Sequence, residues 1–336
     1  MKLFTLTGVF KHDDRFPLSI RMLFMWCVYE SRLMCKFVKI GLSKRYRHNK
    51  KLLPMNIQLY RPQNIILRNF IEYFYILAKQ ADEEPITYLT FPNIYSMVSI
   101  SCNATIKSVG NKVTVDFNPD NVLVSGLAVR YKQPLLIEYS GAANEITICF
   151  KPMGLNAFLE HPISHYAKNE TLATDFIPFI DYVSKMDGIM LLEGDVKKIA
   201  GMEAYWISKL KGVSHPFLYQ TLNDMLLPND KEMTIAEIAQ KNGVTQKTLI
   251  KHFERHIGKT PSDFRKIVRF RNAMKQKALE TCEGRLTDLT YISRYFDQSH
   301  MIKDFKVLTG YSPKEFFKKL SSSHDGKITW IFPGEG

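Results

Sequence analysis

His252 and His256 stand four residues apart, the spacing at which one helical face offers two imidazoles to a metal. No third ligand accompanies them in the sequence, and Phe253 stands where H-E-x-x-H requires Glu. No metal and no cofactor is therefore expected. His161 and His165 flank Pro162 and read as turn or surface residues. Neither a G-x-x-x-x-G-K-[ST] phosphate loop nor a G-x-S-x-G nucleophile elbow occurs. The remaining chemistry is recognition. Two short stretches place amides and ammonium groups at the start of a helical pattern: Gln246, Lys247, Ile250 and Lys251, then Gln298, Ser299, Ile302, Lys303 and Lys306. Amides there can meet base edges and lysines can meet phosphates.

The elements that must position these residues are written twice. MTIAEIAQKNGVTQKTLIKHFERHIG (233–258) opens with Thr234 and Glu237 in capping-box spacing. Ile235, Ile238 and Ala239 supply a buried side, Gly243 suits a left-handed turn, and Val244 fills the gap between two helices. Thr245 caps the second helix, which buries Leu249 and Phe253. This is a helix-turn-helix whose second helix fits the major groove. RLTDLTYISRYFDQSHMIKDFKVLTG (285–310) repeats it, with Leu286 and Leu289 for Ile235 and Ile238, Asp297 as cap, and Met301 and Phe305 buried. The offset is 51 before the turn and 52 after it, so the second turn carries one extra residue. GKTPSDF and GYSPKEF are the two exits. In each, a Gly ends the recognition helix, Thr260 or Ser312 caps the next helix, and Pro261 or Pro313 sits in its first turn. Between the units, 262–280 reads as one basic amphipathic helix that fixes their separation, so two successive major-groove faces about 34 Å apart come within reach of one chain. Thr245, Arg269 and Arg271 are candidates for phosphate contacts, the two arginines also for salt bridges within the domain. His300, just after a cap, is expected to hold a backbone or DNA contact.

Charge supports this placement. Residues 229–320 hold 19 Lys/Arg against 11 Asp/Glu, whereas 55–228 hold 14 against 17. A basic segment beside a near-neutral body fits a polyanion partner. The head, 1–54, is also basic, at 12 against 3. It reads either as a basic extension or as translated upstream sequence with Met55 as the start. Five scattered cysteines with no C-x-x-C pair fit a reducing, cytosolic compartment. No apolar run is long enough to span a membrane.

The expected fold class is α+β in two domains. Segments between Thr87 and Pro152 are short, rich in Val, Ile, Thr and Tyr, and punctuated by Gly, Asn, Asp and Pro, which predicts an antiparallel barrel or sandwich. Residues 65–77 fit a helix or an aromatic strand. ATDFIPFIDYVSKM is expected to be helical, with Phe176, Phe179, Ile180 and Val183 in one stripe, and GLNAFLEH also reads as helix. The expected divisions are a 1–54 extension, a β-rich regulatory domain over 55–160, a helical linker or dimerisation region over 161–228, the DNA-binding domain over 229–320, and a loose tail over 321–336.

At Ile238, Ala239, Gly243, Val244, Leu249, Phe253, Gly258, Pro261, Phe264, Arg269 and Phe270, and again at Asp297, Gln298, Ser299, His300, Phe305, Gly310, Ser312, Pro313 and Phe316, the chain resembles the AraC/XylS family of bacterial transcriptional regulators. The middle is more faintly similar to the β-rich sensor domains of that family, through the Phe150-x-Pro152-x-Gly154 phrase. The resemblance implies a cytoplasmic, sequence-specific regulator without covalent chemistry. Its implied partners are double-stranded DNA, RNA polymerase, a small-molecule effector and a second copy of the chain as a homodimer. Lys251 and Lys303 fall where the family usually has Arg, which weakens bidentate reading of guanine. Leu289, Thr290 and Arg294 depart from the usual Ile-Ala and Gly, so the second turn is expected to be strained or rebuilt. Two other readings stay open: a DNA-targeted enzyme with a catalytic β domain, and a non-specific architectural or protein-binding module.

Overall fold

The computed structural model describes residues 56–168, 172–212, 215–226, 233–278, 286–320 and 330–331. The basic head lies outside them. Two sheets form the first half. One holds β1 (Asn56–Tyr60), β2 (Ile71–Lys79), β4 (Ser96–Cys102), β7 (Leu123–Ala128), β9 (Ala143–Phe150) and β10 (Leu172–Ala173), in the order β1-β2-β9-β4-β7-β10. The other holds β3 (Ile86–Thr90), β5 (Ala104–Val109), β6 (Lys112–Phe117), β8 (Leu135–Ser140) and β11 (Trp330–Ile331), in the order β11-β3-β8-β6-β5. Pairing is antiparallel except between β6 and β8.

Strand β2 shows why its sequence is ambiguous. Tyr73 and Leu77 face the other sheet, while Phe74 and Ile76 face the helices. A strand buried on both faces reads as a continuous apolar run, without the alternation that would identify it. The first sheet's outer face is covered by α1 (Ile163–Tyr166), α2 (Tyr182–Met190) and α3 (Asp195–Ser208). Trp206 packs edge-on against Phe150 at 4.9 Å and Phe158 at 5.4 Å. Buried Glu203, on α3, accepts from the Gln63 and Asn64 backbone N–H groups at 2.6 and 2.8 Å, fixing the loop after β1.

Several expectations are corrected here. The helix over ATDFIPFIDYVSKM begins only at Tyr182. Pro178 lacks an N–H and disfavours a helical residue before it, so Phe176 and Phe179 lie in an irregular approach and form no helical stripe with Ile180 and Val183. Ile180 is fully exposed. GLNAFLEH gives only a 3₁₀ turn at Leu155–Ala157. Gly154 precedes it because a Cβ there would lie 2.2 Å from the Phe70 carbonyl oxygen. The tail is not wholly loose: Trp330 and Ile331 pair with Thr90 and Leu89, and Ile331 is buried.

The second half is helical: α4 (Pro216–Leu226), α5 (Ile235–Lys241), α6 (Gln246–Ile257), α7 (Pro261–Ala278), α8 (Leu286–Ile292), α9 (Gln298–Thr309) and α10 (Pro313–Lys319). Its apolar residues divide into two clusters. One joins α4, α5, α6 and the start of α7 around Leu222, Ile238, Leu249, Phe253 and Phe264. The other joins the rest of α7 to α8, α9 and α10 around Phe270, Leu289, Phe305 and Phe316. Helix α7 is thus shared by both. No described helix is long and apolar enough to cross a membrane.

Candidate nucleic-acid interface

Helices α5 and α6 form the first helix-turn-helix, and α8 and α9 the second. From α5 to α8 the offset is 51 at both ends; from α6 to α9 it is 52 at both ends. The local chemistry repeats too. The Thr245 side chain accepts from the Thr248 N–H, and the Asp297 carboxylate from the His300 N–H at 2.7 Å. Each satisfies a donor that a helix start leaves unpaired. Gly258 and Gly310 close the recognition helices in left-handed conformation, at φ +76° and +80°. At the exits, Thr260 accepts from the Asp263 N–H at 3.1 Å and Ser312 forms a capping box with Glu315; a separate capping box, Thr234 with Glu237, opens the first unit.

The turns answer the question raised by Arg294. Gly243 has φ +67° and Arg294 has φ +64°. The second turn is therefore not rebuilt at this residue. Arg294 adopts the glycine conformation and bears its cost, while the extra residue lies between it and the Asp297 cap.

On α6, Gln246, Lys247 and Lys251 are exposed and Ile250 is half-buried. Leu249 and Phe253 fill the core behind them. On α9, Ser299, Lys303 and Lys306 are exposed and Ile302 is half-buried, with Met301 and Phe305 behind. Gln298 is exposed, and its amide donates to the Thr287 hydroxyl at 2.7 Å. Thr245 is exposed at the first cap.

The arginines on α7 are placed otherwise. Arg269 pairs with buried Asp304 at 2.9 Å and approaches the His300 ring at 3.2 Å, bracing α7 against α9. Its role in the structure is the salt bridge, and His300 faces the same pair. Arg271 is corrected more strongly: its guanidinium donates to the carbonyls of Phe91 and Pro92, at 2.6 to 3.0 Å, in the loop after β3. It points into the β domain and is not offered to phosphate.

Those contacts belong to an interface that sequence reading missed. The loop after β3 inserts Phe91 against Phe316 at 5.0 Å, inside the second unit's core. The segment after β7 meets the first unit's exit. Buried Lys259 donates to the Val129 carbonyl, Lys132 pairs with Asp263 at 2.8 Å, and Val129 lies close against Gly258. Burial pushes the Lys259 ammonium down to about 7. The Asn156 amide donates to the His256 carbonyl at 2.8 Å. The signal in the sequence was Lys259 itself, a lysine directly after a helix-ending Gly and before a capping Thr, where a solvent-facing reading is the natural one.

Between the sheets lies a cavity of about 90 Å³, lined among others by Tyr73, Tyr75, Tyr88, Tyr139, Glu145 and Arg271. Glu145 is buried and accepts from Thr147 at 2.8 Å and from Ser101 and Tyr139 at 3.0 Å. Burial raises its carboxyl above the ordinary range despite these donors.

Residues 233–319 match the family model described as a helix-turn-helix domain. No curated protein matches the chain. Among solved structures, an apo variant of ToxT from Vibrio cholerae is 12% identical over 80% of this chain and 99% of its own, with a TM-score of 0.38. A further crystal structure of ToxT from the same organism is 13% identical over 79% and 98%, with a TM-score of 0.35. Scores of this size leave the case to the chain's own elements. With the matched segment, two turns of like backbone conformation, two capped second helices and two Gly-x-Thr/Ser-Pro exits, residues 233–319 form a doubled helix-turn-helix domain.

Proposed function

We infer that the protein is a transcriptional regulator that reads duplex DNA through two successive major-groove contacts. The observation that carries this reading is the repetition of caps, turn conformation and exits, which leaves equivalent helix faces exposed on α6 and α9. Gln246, Lys247, Ile250 and Lys251 form the first reading surface, with Thr245 at a phosphate. Ser299, Ile302, Lys303 and Lys306 form the second, with Gln298 held by Thr287. Lysines contribute mainly counterion-releasing phosphate contacts, so base discrimination rests on Gln246, Ser299 and the apolar residues.

The proposed division of labour follows the interface. The cavity between the sheets is the effector site, and Arg271 is the link, because it lines the cavity from the helix that both reading units share. The cavity is smaller than the ~150 Å³ that accommodates a benzene ring in an engineered apolar site. It takes a compact molecule with a hydrogen-bonding group, or a larger one once side chains move. Contact with RNA polymerase and pairing of two copies complete the proposal.

The test is binding of the intact chain to a cognate duplex and to random duplex as salt is varied. The reading requires a specificity ratio of about 10³ or more at physiological salt. Equal affinity for both, with the same salt slope, would instead favour an architectural module.

A further inference from the structure

His252 and His256 do have a third partner. His215, directly before α4, brings its ring to 4.1 Å from that of His256 and 5.4 Å from that of His252, centroid to centroid. The rings of His252 and His256 are nearly parallel, at 12° and 5.9 Å. One ligand nitrogen from each lies within 4.8 Å of the others. His256 is 6% exposed, and its Nε2 has no hydrogen-bond partner; nor has the buried Nδ1 of His252. An unpartnered imidazole nitrogen buried among two others costs free energy unless something fills the space between them.

We propose that His215, His252 and His256 form a three-nitrogen site for a borderline transition-metal cation such as Zn²⁺, clamping the start of α4 to the first recognition helix. The donor set is right for that class: neutral imidazoles suit zinc, cobalt, nickel and copper, whereas calcium and magnesium require oxygen. A tetrahedral cation with bonds of about 2.1 Å needs nitrogens about 3.4 Å apart. The present spacing closes by ring rotation of the two half-exposed histidines, His215 and His252, toward the fixed His256. Three protein ligands would leave a fourth position for water. Arg255, exposed and next to His256 in the chain, places a positive charge close by that opposes a cation. His252 and His256 flank the buried stripe of α6, away from Lys247 and Lys251, so metal and DNA do not compete for the same atoms. The cation would tie the start of α4 to α6. This inference is independent of which DNA sequence, if any, the protein reads.

The test uses the full chain without a histidine tag, stripped with chelator and titrated with Co²⁺, whose visible absorption reports coordination. The expected result is one Co²⁺ per chain, displaced by Zn²⁺. His215→Ala and His252→Ala, both at half-exposed positions, should weaken binding by more than the roughly 10–100-fold that loss of a supporting outer-shell group costs. The double variant His161→Ala/His165→Ala, which removes a close histidine pair elsewhere, at 4.4 Å, should bind as the parent does. Far-UV circular dichroism confirms that each variant is folded. Absence of stoichiometric Co²⁺ in the parent, undiminished binding in folded His215→Ala, or loss in the His161/His165 control would each overturn the proposal.

Discussion

Arg294 offers a measurement of backbone strain with its own internal control. The residue holds φ +64° where its counterpart Gly243 holds +67°. For an L-residue with a Cβ the left-handed region costs about 1–2 kcal/mol. Replacing it by glycine removes that cost but frees the unfolded chain, which offsets about 0.4–1 kcal/mol. The net gain expected from relieving the backbone is therefore about 0.5–1 kcal/mol. Arg294→Gly also deletes a side chain, so the quantity to measure is the difference between Arg294→Gly and Arg294→Ala, which share that loss. Gly243→Ala supplies the reverse comparison. No atom lies within 4 Å of a Cβ built at Gly243, so its cost is conformational and not steric. The two Gly-over-Ala differences should agree within about 0.5 kcal/mol. Hydrogen exchange of amides in 286–309 and 235–257, read on the intact protein, isolates each unit without assuming two-state unfolding. Equal stability of Arg294→Gly and Arg294→Ala, with Gly243→Ala clearly destabilising, would refute the claim that both turns share one conformation.

Three further outcomes follow from the packing. Arg269→Ala leaves the Asp304 carboxylate buried without its guanidinium, which should destabilise the second unit by about 3 kcal/mol, seen as lost exchange protection in α9 with α6 little affected. Lys251→Ala and Lys303→Ala should each lower the slope of log affinity against log salt by about 1 without unfolding either unit. Lys259 gives a pH dependence. Its folded value, about 7, lies below the unfolded 10.5, so between those values the unfolded chain binds more protons and stability rises with pH. Lys259→Met should flatten that rise and stabilise the protein more at pH 6.5 than at pH 9.5, as followed by urea unfolding.

What the sequence disclosed was local. A capping Thr or Asp, a buried pair four residues apart and a Gly-x-Thr/Ser-Pro exit are each set by neighbours within one turn, and their repetition made the second unit readable although Leu289, Thr290 and Arg294 depart from the first. Short strands between Gly and Asn were readable for the same reason. Contacts made across the chain were not. Arg269 and Arg271 are the same residue type two positions apart on one basic helix, so they fall on different faces, but nothing local says that one meets Asp304 on α9 and the other two carbonyls after β3. His252 and His256 are two of three neighbouring imidazoles, and the third, His215, comes from a segment before α4 that periodicity does not place. Residues 176–181 carry helical spacing, but Pro178 decides against a helix there. Trp330 and Ile331 are too short a segment to announce a strand before the edge of β3 receives them.

The most direct test of two-unit reading is selection of binding sites by the intact chain from a random duplex pool at near-physiological salt. The account predicts an enriched site with two short elements about 10 base pairs apart, centre to centre. It further predicts that changing Gln246 alters only one element and changing Ser299 only the other. A single short element, unaffected by Ser299, would contradict it.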